Sequence, residues 1–334
     1  MPADASRHAL SGERCNRAGV AALVALGLTG MGCDRDEPRP SATEQPGPDA
    51  TASSASDGGT TSRAPSAEAT APPVPSVMPE PRCSPEMVKV TPGKGRPYCV
   101  DRYEASLVDD ASSRPLSPYY APSRKRAIAA YTTWSTQRLE VGPPAAREMG
   151  LPELPGWQRT TDVVPRARSV RGVWPNGHVT GLSAAAACAS AGKRLCTPTE
   201  WRVACGGEAG QRFPYGTSYV AGQCNVFREA HPAGVLHENP SIGHDDPRLN
   251  RVSLRGKPLL RKTGDTPTCA SRWGDDVIYD MVGNLDEWVD HPRGSFAGGF
   301  YARSTKEGCD WHTTAHGNSY ADYSTGVRCC AEMP

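Results

Sequence analysis

The sequence predicts an α+β domain with little regular structure, stapled by disulfides. Three observations carry this. Residues 183–191 (SAAAACASA) and 197–205 (TPTEWRVAC) read as two helices. Residues 211–334 are rich in Gly, Asn, Asp and Pro and read as loops and short strands. Ten of the twelve cysteines lie between positions 83 and 334, behind an export signal, and an even count in an exported chain implies disulfides.

The chain opens with Arg7, Arg14 and Arg17, followed by an apolar run over residues 18–31 (AGVAALVALGLTGM). That run is shorter than the roughly 20 residues of a membrane span, so residues 1–33 read as a secretory signal. It closes on Gly32-Cys33, a lipidation site with the small residue such signals place before the cysteine; Gly30 stands where they favour Leu. Simple cleavage, or an uncleaved anchor with Cys33 incidental, is the alternative. Residues 34–82 are mostly Pro, Ala, Ser and Thr with no aromatic, Leu or Ile, and read as a disordered tether that holds residues 83–334 away from a membrane. These features place the domain outside the cytoplasm, periplasmic or cell-surface facing. The net charge of +1 supplies no field for nucleic acid, and no C-x-x-C pair suggests structural zinc.

Within the domain, residues 98–108 (YCVDRYEASLV) read as an opening strand. Residues 111–180 read as a long insertion, largely loop, with one helix at 123–139 where Ile128, Tyr131 and Trp134 share a face. Ser183 is expected to cap the Ala-rich helix and Gly192 to end it. Thr197-Pro198-Thr199-Glu200 is a capping box with Pro at the first helical position, and Gly206-Gly207 stops the second helix.

Four blocks, in order, carry a resemblance: residues 192–201 (GKRLCTPTEW), 280–288 (DMVGNLDEW), 294–299 (GSFAGG) and 326–330 (GVRCC). Together they resemble the formylglycine-generating enzyme (sulfatase-modifying factor) family, which oxidises a cysteine in sulfatases. The resemblance implies a C-type-lectin-like fold, two helices packed on a small irregular antiparallel sheet. It also implies bridges Cys188–Cys329 and Cys205–Cys309. Spacing alone fixes no connectivity; Cys83–Cys99, Cys224–Cys269 and Cys196–Cys330 are the pairings expected for the remainder. The 280–288 block is similar to the family's calcium turn, with side-chain oxygens from Asp280 and Glu287 and carbonyls from Gly283 and Leu285. A weaker second calcium site would use Asn225 and the Val226 carbonyl, with Asp245 or Asp246. Calcium wants six to eight oxygens, and a Gly-containing turn between two acids can present several.

The family's copper-binding cysteines follow its Gly-Ser-aromatic turn, three and eight residues after the Ser. Counted from Ser295, those positions are Gly298 and Arg303, which can neither bind a soft metal nor form a mixed disulfide. A pocket tryptophan of the family is replaced by Asp286. Copper is therefore not expected, and the sequence leans away from an enzyme. The leading expectation is a lipid-anchored, non-catalytic module that binds a protein or glycan, with Phe296, Phe300, Tyr301, Trp311, Tyr320 and Tyr323 near the former pocket. Two alternatives stay open: a divergent metal-dependent oxidoreductase using loop histidines such as His291, His312 and His316, and a structural lipoprotein of a motility or secretion complex.

Overall fold

The computed structural model describes residues 82–226, 229–303 and 306–334, all within the compact unit Pro75–Pro334. The signal peptide with Cys33 and the tether up to residue 81 lie outside the described residues. Among the described residues, no helix is long and apolar enough to cross a membrane.

In chain order the elements are β1 (Met87–Val90), β2 (Tyr98–Asp101), β3 (Ala105–Asp109), α1 (Arg124–Gln137), α2 (Pro144–Glu148), α3 (Gly156–Thr160) and β4 (Pro165–Ser169). The two central helices follow, α4 (Gly181–Ser190) and α5 (Pro198–Gly206), separated by β5 (Arg194–Leu195). A short α6 (Pro232–His237) precedes two hairpins, β6 (Ser253–Leu254) with β7 (Lys257–Pro258), and β8 (Ala270–Trp273) with β9 (Asp276–Tyr279). The chain closes with β10 (Asp286–Val289), β11 (Ser295–Ala297), β12 (His312–Thr313), β13 (Thr325–Val327) and β14 (Cys329–Glu332).

One sheet runs β1-β2-β14-β5, antiparallel throughout, and a second runs β12-β11-β10-β13. The second includes one parallel pair, β10 with β13, with Trp288 opposite Val327; the remaining pairs are antiparallel, as expected of a small irregular antiparallel sheet. The expected opening strand is two strands. It breaks after Asp101 because Glu104 turns inward, where its carboxylate takes the Leu285 N–H at 2.9 Å and the Asn284 side-chain amide. Satisfying buried polar groups outweighs continuing the ladder.

The 111–180 segment is also less loop-like than its sequence suggests. It holds three helices, and its strand β4 pairs with β3 from Ala105↔Ser169 to Asp109↔Pro165. Two of those helices are five residues long, behind Pro143 and Pro155, too short to show a helical period. In α1 the fully buried residues are Ala127 and Trp134, two turns apart, with Ile128 and Tyr131 only half-buried beside them.

The cap of α4 is Thr180, not Ser183. Thr180 Oγ1 accepts the Ser183 N–H at 3.0 Å, and Ser183 Oγ accepts the Thr180 N–H at 2.9 Å, a reciprocal box one turn earlier than expected. The α5 box is as expected: Thr197 Oγ1 accepts from Glu200 N–H at 3.2 Å and Glu200 returns to Thr197 N–H at 2.8 Å. Gly207, at φ 65°, ends that helix.

Five disulfides join Cys83–Cys99, Cys188–Cys329, Cys196–Cys330, Cys205–Cys309 and Cys224–Cys269, all five pairings as expected. They fit an exported, oxidising environment. Cys188–Cys329 closes 141 residues and Cys205–Cys309 closes 104. In the loop-entropy model such a closure is worth on the order of 4–5 kcal/mol. The neighbours Cys329 and Cys330 thus tie the last strand to the end of α4 and the start of α5.

Candidate functional site

The four blocks converge where the two sheets meet the helices. Arg328, the residue before the double cysteine, is wholly buried there. It donates to Glu287 through Nε and Nη2, to the Asp101 carbonyl at 2.8 Å and to the Tyr279 carbonyl at 2.8 Å. Glu287 also accepts the Trp201 indole N–H at 2.6 Å. The guanidinium therefore ties β10 to β2 and β9, and Glu287 ties β10 to α5 through Trp201.

This bears directly on the expected calcium turn. A carboxylate has about four acceptor positions, and Glu287 receives three N–H groups: Arg328 Nε, shared between its two oxygens, Arg328 Nη2 at Oε1 and Trp201 Nε1 at Oε2. Asp280 accepts the Gly264 N–H at 2.7 Å and is buried, which pushes its carboxyl up to about 7. Gly283 and Leu285 hold their N–H groups on Gly298 O and Glu104. As arranged, Asp280, Gly283, Leu285 and Glu287 do not make a calcium shell, because the guanidinium already neutralises Glu287, and no step is derived through the ion. At the weaker site, the Asn225 amide nitrogen donates to Leu259 O and Asn284 Oδ1, both at 2.9 Å. Asp246 is spent on Arg248 and His237, and Asp245 accepts from Trp134. Neither acid joins Asn225 and Val226.

Gly298 lies at the end of β11, fully enclosed, with φ 87°. A Cβ there would stand 2.6 Å from the Met281 carbonyl oxygen and 3.0 Å from the Trp201 ring. The position accepts no side chain: its backbone conformation and its neighbours both exclude one.

Arg303 and Asp286 occupy the remaining two positions of interest, and they pair. Arg303 Nη2 donates to Asp286 Oδ2 at 3.1 Å, and the guanidinium lies 4.5 Å from the Trp311 ring centre and 5.0 Å from that of Phe300. Burial raises the Asp286 carboxyl to about 7, against the pull of Arg303. Behind the pair, Ser324 Oγ donates to Asp322 Oδ1 at 2.7 Å and Tyr320 OH donates to Asp322 Oδ2 at 2.6 Å. Asp286 Oδ1, Ser295 Oγ and Arg303 Nε are buried without a hydrogen-bond partner among the described residues.

The aromatic set divides. Phe296, Phe300, Tyr301 and Tyr323 are core, whereas Trp311 and Tyr320 are half-buried. His316 stacks on Tyr320 with ring centres 3.7 Å apart, His312 Nδ1 lies against Asp310 O, and His291 Nδ1 accepts from Arg293 N–H. The three histidines have separate partners, and among the described residues no group of three His, Cys, Asp or Glu is placed to hold a metal. Sequence reasoning missed Arg328, Glu104, Asp322 and Ser324. Arg328 carried a signal, as the one cation of the 326–330 block, between β13 and β14.

A family model described as sulfatase-modifying factor enzyme 1-like domain matches residues 147–334, more than half of the chain. The chain belongs to that family. A Bos taurus relative named inactive C-alpha-formylglycine-generating enzyme 2 is 28% identical over 147 residues, 44% of this chain and 41% of that protein. The matched segment thus spans well under half of that relative. Two solved structures are similar over 71% of this chain: CarF, at 13% identity and a TM-score of 0.32, and PvdO from Pseudomonas aeruginosa, at 15% and 0.32. They are covered to 87% and 81% of their own lengths. The family's fold is the α+β arrangement described above.

Proposed function

We propose that this sulfatase-modifying-factor-like domain is a non-catalytic binding module, exported and held to a membrane through lipid on Cys33. The observation that carries the reading is Gly298. At the position where the family's first reactive cysteine is expected, φ is 87° and a Cβ would meet the Met281 carbonyl oxygen at 2.6 Å. The second cysteine position is Arg303, paired with Asp286 where the pocket tryptophan is expected. An ion pair flanked by Trp311 and Phe300 has no thiolate to offer copper or a substrate cysteine. The bovine relative's name, which calls that protein inactive, agrees.

The half-buried face of Trp311, His316, Tyr320 and Arg303 is the part of this region that a protein or glycan partner can reach. Aromatic rings with a fixed guanidinium suit either partner. The test is to incubate the purified domain, copper and oxygen with a peptide bearing the sulfatase cysteine motif. No mass loss is expected, and aldehyde formation would overturn the reading. For the anchor, metabolic labelling with palmitate should mark the protein and lose the mark in Cys33→Ala; unlabelled wild type would refute lipidation.

A further inference from the structure

We propose that a cleft beside the β6–β7 hairpin binds an acidic polysaccharide through a sugar ring that carries a carboxylate or sulfate. The cleft has a volume of about 370 Å³, the size of a small-ligand site. None of its lining residues belongs to the Arg303–Asp286 region. One wall is the loop with Tyr219 and Cys224, the latter bridged to Cys269. The other is the hairpin with Leu254, Arg255 and Lys257, and Arg261 lines the cleft beyond it.

Arg261 is the observation that points to an anion. Its backbone is fixed by the Asn284 side chain, which accepts the Arg261 N–H at 2.9 Å and donates to its carbonyl at 3.2 Å. Its guanidinium is anchored at one corner, where Nη1 donates to Thr266 Oγ1 at 3.0 Å. Nε and Nη2 have no partner among the described residues, and unlike Arg303 Nε they are not sealed from solvent. A guanidinium held in place with open N–H groups matches the paired oxygens of a carboxylate or sulfate.

The charges around it fix the sign of the ligand. Between Asp246 and Asp265 the sequence has six cations and no acid. Three of them are engaged elsewhere: Arg248 with Asp246, Arg251 beside Tyr119, and Lys262 over the Trp174 ring. Arg255, Lys257 and Arg261 line the cleft against a single acid, Glu229. Glu229 pairs with Arg255 at 3.1 Å, but both side chains are largely exposed and such a contact is weak. The exposed Lys257 ammonium has no partner among the described residues. Arg255, at φ 51°, and Gly256, at φ 74°, make a tight two-residue turn that holds the hairpin at the rim. A concave site with Tyr219 and Leu254 as its apolar wall suits a sugar ring bearing the anion, whereas a flat layer of lipid headgroups would meet the hairpin turn alone.

The test titrates heparin oligosaccharides, polygalacturonate oligomers and neutral dextran oligomers into the whole protein by calorimetry. At least one acidic oligomer should bind with a sub-millimolar Kd that weakens as salt is raised, and dextran should give no heat. Which acid binds distinguishes sulfate from carboxylate. Arg261→Gln and Lys257→Gln should each weaken binding about tenfold. Lys125→Gln, which removes an exposed cation of α1, should leave it unchanged, with melting temperature as the control for folding. No binding of either acid at millimolar concentration, equal binding of dextran, an equal loss in Lys125→Gln, or tighter binding to phosphatidylglycerol vesicles than to either acid would each overturn the proposal.

Discussion

Rebuilding the expected thiol pair with Gly298→Cys and Arg303→Cys should not produce a copper site. The left-handed backbone of Gly298 costs an L residue roughly 1–2 kcal/mol. Its Cβ would also stand 2.6 Å from the Met281 carbonyl oxygen, and that carbonyl is backbone, which cannot swing aside. Overpacking of this kind costs roughly 1–3 kcal/mol. A combined loss of about 3 kcal/mol corresponds to a fall in melting temperature of roughly 6–12 °C for a domain of this size. Removing Arg303 adds to it by leaving Asp286 without its cation. The assay is thermal unfolding of the single and double variants, with copper(I) affinity measured against a chelating probe. A double variant that melts with the wild type and binds copper(I) one-to-one would refute the argument, because it would show that position 298 accepts a side chain at no cost.

Other consequences can be checked on the same protein. Arg328→Met should cost about 3–5 kcal/mol by leaving Glu287 buried without its cation, and adding Glu287→Gln should recover part of that in a double-mutant cycle. Burial raises the Asp101 carboxyl to about 6 from 3.8, and Asp286 to about 7, so the folded state holds protons that the unfolded chain releases. Their contribution to stability is fullest below pH about 4 and is lost as pH rises through 6 to 7; denaturant titrations should show Asp101→Asn flattening that slope, and an unchanged slope would refute it. Adding calcium or EGTA should leave the melting temperature unchanged, since Glu287 is committed to Arg328; stabilisation by several degrees at millimolar calcium would refute that assignment.

What could be read from the sequence was what local chemistry encodes. Thr197-Pro198-Thr199-Glu200 declares a helix start through its own side chains, and the start is where it was expected. The α4 start lies one turn before the expected one because Thr180 and Ser183 are both good cap residues, and local sequence does not choose between them. β1, a four-residue strand, offered too little alternation to be noticed. The site depends on longer-range pairings. Glu104 reaches Leu285 across 181 positions, and Arg328 reaches Asp101 across 227. Nothing in either neighbourhood names the partner, so the buried ion network that occupies the turn from Asp280 to Glu287 was open to reading as a calcium shell.

The three changed pocket positions make physical sense only together. Asp286 is fully buried, and a lone buried carboxylate is costly unless it is paired or protonated. Arg303 supplies the pair, with its guanidinium against Trp311 and Phe300 and a third of its side chain still exposed. A cysteine at 303 would leave Asp286 alone, and a tryptophan at 286 would leave Arg303 stacked on aromatics with no carboxylate. Gly298 closes the same region from beneath, where Trp201 and the Met281 carbonyl occupy the space of a side chain. Trp201 is held there by its bond to Glu287, and Glu287 by Arg328. The pocket positions are therefore coupled to the ion network that joins the two sheets. Restoring thiol chemistry would have to accommodate that network as well as the cysteines.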